Sequence, residues 1–267
     1  MNVFGPIPPR RLDRSLGVNK IPSEICSYSC VYCQVGLTES MSIERKKYFS
    51  PEVIVDEVKR RVNQLKNDNK QIDYISFVPD REPTLDINPG KIIGLIKPLE
   101  IKIVVITNSS PLWDKEVKDE LMLADWVSLK IDSVDEKIWH RLNRSYGKLD
   151  LQKVLGGVNL FRNSFRGKLV TETMLVNELN NNKESLTNTA EFKGKLNPDK
   201  VYILVPTRPT AEKFVEPPSE KNLNMAYQIF SPNVNGVEIL TGKIILAAHP
   251  MYLAAVNSIN SISNLRK

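Results

Sequence analysis

Between residues 51 and 66 the apolar positions Ile54, Val58, Val62 and Leu65 recur every three or four residues. That spacing lines one face of an α-helix. Ser50 and Pro51 make a suitable start, with serine at the N-cap and proline at the first helical position. The period then changes. Residues 72–78 are a short apolar, β-branched run, which predicts a buried strand. The same alternation continues along the chain. Helical patterns fall over 88–98, 114–123, 136–142, 151–161 and 183–195, and strand patterns over 16–21, 101–106, 126–132, 168–176 and 201–205. Alternating strand and helix of this kind predicts an α/β fold with a parallel sheet.

The flanks differ from this pattern. The opening, Phe4 to Gly17, has prolines at 6, 8 and 9, too many for a helix, and reads as an extended lead-in to the first strand. Glu220 to Phe230 is helical, and 237–267 is apolar and asparagine-rich, expected as a small helical cap or a winged-helix-like appendage. The expected organisation is a core over 1–220 with its lead-in and a small C-terminal helical extension over 221–267. No repeat of solenoid length occurs. No apolar run approaches the roughly 20 residues of a membrane-spanning helix.

Charge adds little constraint. The net +6 and pI near 9.1 suit an RNA or nucleotide substrate, and serve solubility equally well. The basic clusters at Arg10-Arg11 with Arg14, Arg45-Lys46-Lys47 and Lys59-Arg60-Arg61 read individually as solvated faces.

The cysteines change the picture. All three fall in one stretch, Cys26, Cys30 and Cys33, spaced C-x3-C-x2-C with Tyr32 before the last. An odd number excludes a complete disulfide framework, and no apolar N-terminal signal segment points to an oxidising compartment, so the cytoplasm is expected. Structural zinc needs a fourth ligand, and His140 and His249 lie more than a hundred residues away. A cuboidal iron–sulfur cluster has four irons and normally takes four thiolates. Three thiolates leave one iron open to chelate a ligand, for which the amino and carboxylate groups of S-adenosylmethionine are suited.

Polar residues gather after the strand patterns, at the ends where α/β barrels place their sites. Pro79 to Leu85 follows the second strand, Thr107-Asn108-Ser109-Ser110 the third, and Arg208 the sixth. Lys130 and Asp132 share one face of the fourth strand at period 2, an arrangement costly unless the charges are paired or ligand-bound. Glu172 lies within the fifth strand, facing in a direction the pattern leaves open. The planar guanidinium of Arg208 suits a phosphate or carboxylate.

The C-x3-C-x-aromatic-C loop resembles that of the radical S-adenosylmethionine (radical SAM) superfamily. The resemblance implies an open β6/α6 TIM-like partial barrel and a 4Fe-4S cluster on Cys26, Cys30 and Cys33. It further implies reductive cleavage of S-adenosylmethionine to methionine and a 5′-deoxyadenosyl radical that abstracts hydrogen. An external electron donor of ferredoxin or flavodoxin type would supply the electron. Tyr32 would flank the adenine. Glu82 and Thr84 match a Gly-Glu-Pro-Thr-like motif that binds the cofactor amino group, with Arg81 replacing the glycine. Asn108 and Ser109 become ribose or carboxylate contacts, and Lys130 and Asp132 meet the methionine end. From about residue 4 to 220, including Glu44 to Tyr48 and Arg208 to Glu212, the chain is similar to a group related to the wybutosine-synthesis enzymes of transfer RNA. A transfer RNA base is therefore one substrate to expect. Characterised wyosine enzymes carry a second set of cluster cysteines, which these three cysteines do not supply. Two alternatives stand: an activase that installs a glycyl radical on a partner protein, and a non-catalytic protein keeping the cluster as a redox or structural element.

Overall fold

The computed structural model describes residues 2–7, 14–77 and 80–241, with the backbone of 245–246. Arg10 and Arg11, Val78 and Pro79, and most of the expected extension, with His249, lie outside the described residues. In chain order the elements are β1 (Val3–Ile7), β2 (Ser15–Val18), β3 (Ile25–Cys26), β4 (Ser40–Met41), α1 (Pro51–Asn67) and β5 (Tyr74–Phe77). A single 3-10 turn (Pro83–Leu85) precedes α2 (Pro89–Ile96), and another (Lys97–Leu99) follows it. Then come β6 (Lys102–Thr107), α3 (Lys115–Leu121), β7 (Trp126–Lys130), α4 (Glu136–Asn143), α5 (Leu151–Ser164), β8 (Lys168–Met174) and α6 (Lys183–Leu196). β9 (Lys200–Leu204), α7 (Glu220–Phe230), β10 (Val237–Leu240) and β11 (Ile245–Leu246) complete them.

The main sheet runs β1-β2-β5-β6-β7-β8-β9-β10-β11. From β2 to β10 every neighbouring pair is parallel, and an antiparallel strand closes each edge. All six expected strands are present, with helices between them.

The flanks are where the expectations need correcting. The lead-in is a paired strand, β1, despite Pro6; proline is tolerated there because β1 is an edge strand. Gly17 opposes Phe4 in that pair, and a Cβ on Gly17 would run into the Phe4 ring. Within the expected helical extension, Val237–Leu240 is a parallel strand on the free edge of β9. Packing continues across residue 220: Ala226 and Phe230 of α7 join Leu186, Ala190, Ile203 and Ile239 in one core cluster. Ser50 sits at the N-cap position of α1 but makes no capping bond; its hydroxyl bonds Glu52 instead.

Strand alternation sends residues into two layers. Leu16, Ile75, Ile103, Val105, Val127, Leu129 and Leu169 pack against the helices. Val104, Trp126, Val170, Met174, Tyr202 and Leu204 line the other face, covered by Val31 and Tyr32 of the cysteine loop. Burial on both faces is why the strands read as continuous apolar runs.

One device recurs at the N-terminal ends of the strands. Asp73, Asp125 and Asp199 each stand one residue before a strand. Each donates its backbone N–H to a carbonyl on the neighbouring strand or at its entry, of Arg14, Ile103 and Leu169 respectively. Each carboxylate accepts the N–H of that same residue, at 3.0, 2.7 and 2.7 Å. The reciprocal pair pins the register where the strands begin. No helix among the described residues is long and apolar enough to cross a membrane.

Candidate active site

The cysteine loop leaves the C-terminal end of β2 and is pinned on several sides. Cys26 lies in β3, which pairs with β4 just past the loop. The N–H of Val31 donates to Leu142 O at 3.0 Å and that of Tyr146 to Ser27 O at 3.0 Å, docking the loop on the end of α4. From the far side, the N–H of Glu212 donates to Val31 O at 3.0 Å, while Arg144 pairs with the Glu212 carboxylate at 2.5 Å. After Cys33 the chain turns through Gly36 at φ +96, a conformation that favours glycine.

Each sulfur faces a side-chain N–H from a different element. Asn108 Nδ2, after β6, lies 3.9 Å from Cys26 Sγ and donates to Ser27 Oγ at 2.8 Å. Asn143 Nδ2, at the end of α4, lies 3.4 Å from Cys30 Sγ. Arg81 Nη1, after β5, lies 3.6 Å from Cys33 Sγ. Burial pushes the Cys26 thiol up to about 11 and that of Cys30 up to about 12. Ligation needs thiolates, so metal binding there would release protons. Among the described residues no three His, Cys, Asp or Glu side chains converge on one ion position. Ligands to three separate irons of a cluster do not share such a point.

The expected ligand contacts divide into two sets. Glu82 is buried and its carboxylate is taken up by the protein: Oε1 accepts from Thr84 N at 3.1 Å and Thr107 Oγ1 at 2.7 Å, and Oε2 from Asn108 N at 2.6 Å. Thr84 also turns its hydroxyl to Glu82. These side chains frame the loop and hold the end of β6 against it. Burial raises the Glu82 carboxyl. Ser109 is different. It is 1% exposed, adopts φ 69, and its hydroxyl has no hydrogen-bond partner among the described residues. With Asn108, Lys130, Asp132 and Asn143 it lines a small cavity behind the cysteine loop. A buried orphan hydroxyl on a strained backbone is a reason to look for a ligand.

Lys130 and Asp132 both meet Tyr32 rather than each other. The Lys130 ammonium lies 4.6 Å from the Tyr32 ring centroid, and the Tyr32 hydroxyl donates to Asp132. Asp132 also accepts from Asn143 Nδ2 and from Met174 N, each at 2.7 Å. Tyr32 is buried, so its hydroxyl is held in the protein. Glu172 pairs in register with Lys130 and is bonded by Ser128, which settles its facing toward the layer covered by the loop. Arg208 is exposed and reaches Gln34, one residue past Cys33, at 3.4 Å; it stands at the mouth, where the strand pattern placed it.

Asn143, Arg45 and the contact of Arg81 with Cys33 escaped the sequence reading. Asn143 lies four residues after Trp139 on the buried side of α4; a polar residue at a core position was its only signal. Arg45 reads as a surface charge, yet its side chain is 10% exposed. It donates to Thr84 O at 3.0 Å and Asp86 O at 3.1 Å and pairs with Glu116 and Glu120. Burial lifts the Glu120 carboxyl to about 7 despite that arginine.

A parallel sheet whose first parallel strand feeds a three-cysteine loop, with polar groups at its C-terminal mouth, defines the partial α/β barrel of the radical SAM class. The chain belongs to the Radical SAM superfamily, whose family model matches residues 20–192. It is 45% identical over 241 residues to the UPF0026 protein MJ1312 of Methanocaldococcus jannaschii, covering 90% of this chain and 74% of that protein. Among solved structures it resembles that of TYW1 with a lysine-pyruvate adduct bound, at TM-score 0.62 and 13% identity, over 85% of this chain and 76% of that one. It likewise resembles Streptococcus suis SuiB bound to S-adenosylmethionine, at TM-score 0.58 and 14% identity, over 82% of this chain and 51% of that one. Members of the superfamily are enzymes that use a 4Fe-4S cluster and S-adenosylmethionine and need an external reductant. The residues present fit those cofactors: three thiols on one loop, and beside them an orphan hydroxyl and a lysine with no carboxylate at ion-pair distance among the described residues.

Proposed function

We propose that Cys26, Cys30 and Cys33 hold three irons of a 4Fe-4S cluster and that the fourth iron takes S-adenosylmethionine. The observation that carries this is the set of three sulfurs at the sheet mouth, each faced by an N–H from a separate element. Hydrogen bonds to cluster sulfurs are a principal means by which proteins tune such centres. When bound, and with one electron from an external reductant of ferredoxin or flavodoxin type, these cofactors would supply reductive cleavage of S-adenosylmethionine to methionine and a 5′-deoxyadenosyl radical able to abstract hydrogen from a substrate. Ser109 and Lys130 offer the open polar groups for the cofactor, and Asn108, bonded to Ser27 and Ser110, borders them. Tyr32 and Asp132 wall the site, and Glu82 and Thr84 keep its floor rigid.

For the substrate we favour a transfer RNA base, handled in the cytoplasm. The fold's likeness to TYW1, the net +6 and the exposed Arg208 beside the cysteine loop support that class. The test is electron paramagnetic resonance on anaerobically reconstituted, reduced protein with and without S-adenosylmethionine, with assay of 5′-deoxyadenosine. The expected result is a cofactor-dependent change in the signal together with product, and product formation that rises with added transfer RNA. A cluster signal indifferent to the cofactor, with no product, would replace this reading with a structural or redox cluster. Product that rises with a glycyl-radical partner protein and not with RNA would replace only the substrate class.

A further inference from the structure

Arg81 stands where the Gly-Glu-Pro-Thr-like motif that this stretch resembles has glycine, and its side chain does something glycine cannot. Nε donates to Ser23 O. Nη1 reaches Gly36 O at 3.3 Å, Thr38 Oγ1 at 3.0 Å and Cys33 Sγ at 3.6 Å, and Nη2 donates to Leu37 O at 3.0 Å. Ser23 precedes the first cysteine and Gly36 to Thr38 follow the last. One guanidinium therefore ties the entry of the cysteine loop to its exit. The residue is 7% exposed, and its backbone is not among those of positive φ. Arginine at this position therefore needs no left-handed backbone, and the fork points to the cysteine loop rather than into the cavity beside Ser109.

Two consequences follow from elementary chemistry. Bringing the ends of a flexible loop together costs conformational entropy, and a rigid fork bonded to both ends holds them together. A cation with an N–H on a ligand sulfur favours the more negative, reduced state of a bound cluster. The buried setting reinforces this, since water screens the charge less there.

We propose that Arg81 is a positioning residue for the cluster: it clamps the cysteine loop in ligating geometry and, through Cys33, raises the reduction potential. This rests on the ligand reading of Cys26, Cys30 and Cys33. Thr38 serves the same clamp, accepting from Arg81 while its hydroxyl donates to Tyr28 O at 2.7 Å and its N–H to Ser29 Oγ at 3.1 Å. The arrangement separates charge from shape. Lysine at this position keeps a positive charge but cannot span five acceptors; glutamine keeps neither the charge nor the full fork.

The experiment compares wild type, Arg81→Lys and Arg81→Gln after anaerobic reconstitution. It reads iron and sulfide content, the rate of iron loss to a chelator, and the midpoint potential by a redox titration followed by electron paramagnetic resonance. Circular dichroism checks that each variant is folded. The expected result is faster iron loss in both variants, by tenfold or more, with a midpoint displaced to lower potential in Arg81→Gln and displaced less in Arg81→Lys. A folded Arg81→Gln that assembles no cluster also supports the clamp, provided Arg81→Lys retains a labile one. A wild-type cluster whose retention and midpoint are matched by both variants overturns this inference and leaves the ligand reading intact. A wild-type chain that assembles no cluster overturns both.

Discussion

At the N-terminal ends of the strands, Asp73, Asp125 and Asp199 each bond a backbone N–H on the adjacent chain segment, and each pair stands apart from the others. At the C-terminal ends the polar groups share partners. Asn143 Nδ2 lies within reach of Cys30 Sγ, Tyr32 Oη and Asp132 Oδ2, and Asp132 answers Tyr32, Asn143 and the Met174 N–H. The first arrangement fixes strand register with independent, repeated bonds. The second is a network whose members set one another's geometry, which is what a site needs if a reactive group is to be held still. Even the cavities divide this way. The larger, of about 360 Å³, lies at the N-terminal end, lined by Arg162, Arg166 and Lys195 among others. The small one at the mouth is lined by Asn108, Ser109, Lys130 and Asp132, the residues proposed for the cofactor.

Substitutions at the two ends should separate accordingly. The largest effect is expected at the mouth: Cys30→Ala should abolish cluster assembly while leaving the urea midpoint of the cluster-free chain nearly unchanged. Full iron content in that variant would sink the ligand assignment. Next, Asn143→Ala removes a donor from Cys30, Tyr32 and Asp132 together. Leaving buried acceptors unpaired costs about 1–3 kcal/mol, so urea unfolding should show that loss and the cluster should be retained less well. A loss of stability with normal cluster retention would mean Asn143 serves the fold alone. Asp199→Ala breaks one reciprocal pair at the opposite end and should cost about 1 kcal/mol, with cluster content and resonance signal unaltered. A changed signal there would show that the two ends are coupled. Smallest in stability is Arg208→Ala, which touches an exposed side chain and should change folding by no more than about 0.5 kcal/mol. Its effect should appear only as weaker RNA-dependent product formation, and equal product with and without the arginine would remove it from the substrate side.

The alternation of helix and strand was legible because each strand is buried on both faces and each helix on one, so period alone distinguishes them. Helix starts were less legible: Ser50, read as an N-cap, makes no capping bond, while Asp114, Asp135, Asp150 and Asn182, which the sequence reading did not single out, accept from the first turn. β1 was hidden by Pro6, whose acceptability depends on standing at an edge that only the assembled sheet possesses. β10 was hidden by its length: four residues carry too little pattern, and the free edge of β9 decided their state. At the site the cysteines were legible by spacing. Asn108, Ser109, Lys130 and Asp132 were legible as polar residues at strand ends. The side chains that aim at the sulfurs were not legible in that role.

The sequence by itself determined the six central strands, the helices between them, their order and the single loop able to carry thiolates, because burial imposes a short period and a ligand loop needs close spacing. Only the tertiary structure decided that Arg81 meets Cys33 across 48 positions and Asn143 meets Cys30 across 113. A hydrogen bond between distant residues depends on distance and angle set by strand order and helix packing. Neither quantity leaves a period in the chain, so Arg81 reads only as a departure from the motif until the fold brings both ends of the cysteine loop to its guanidinium.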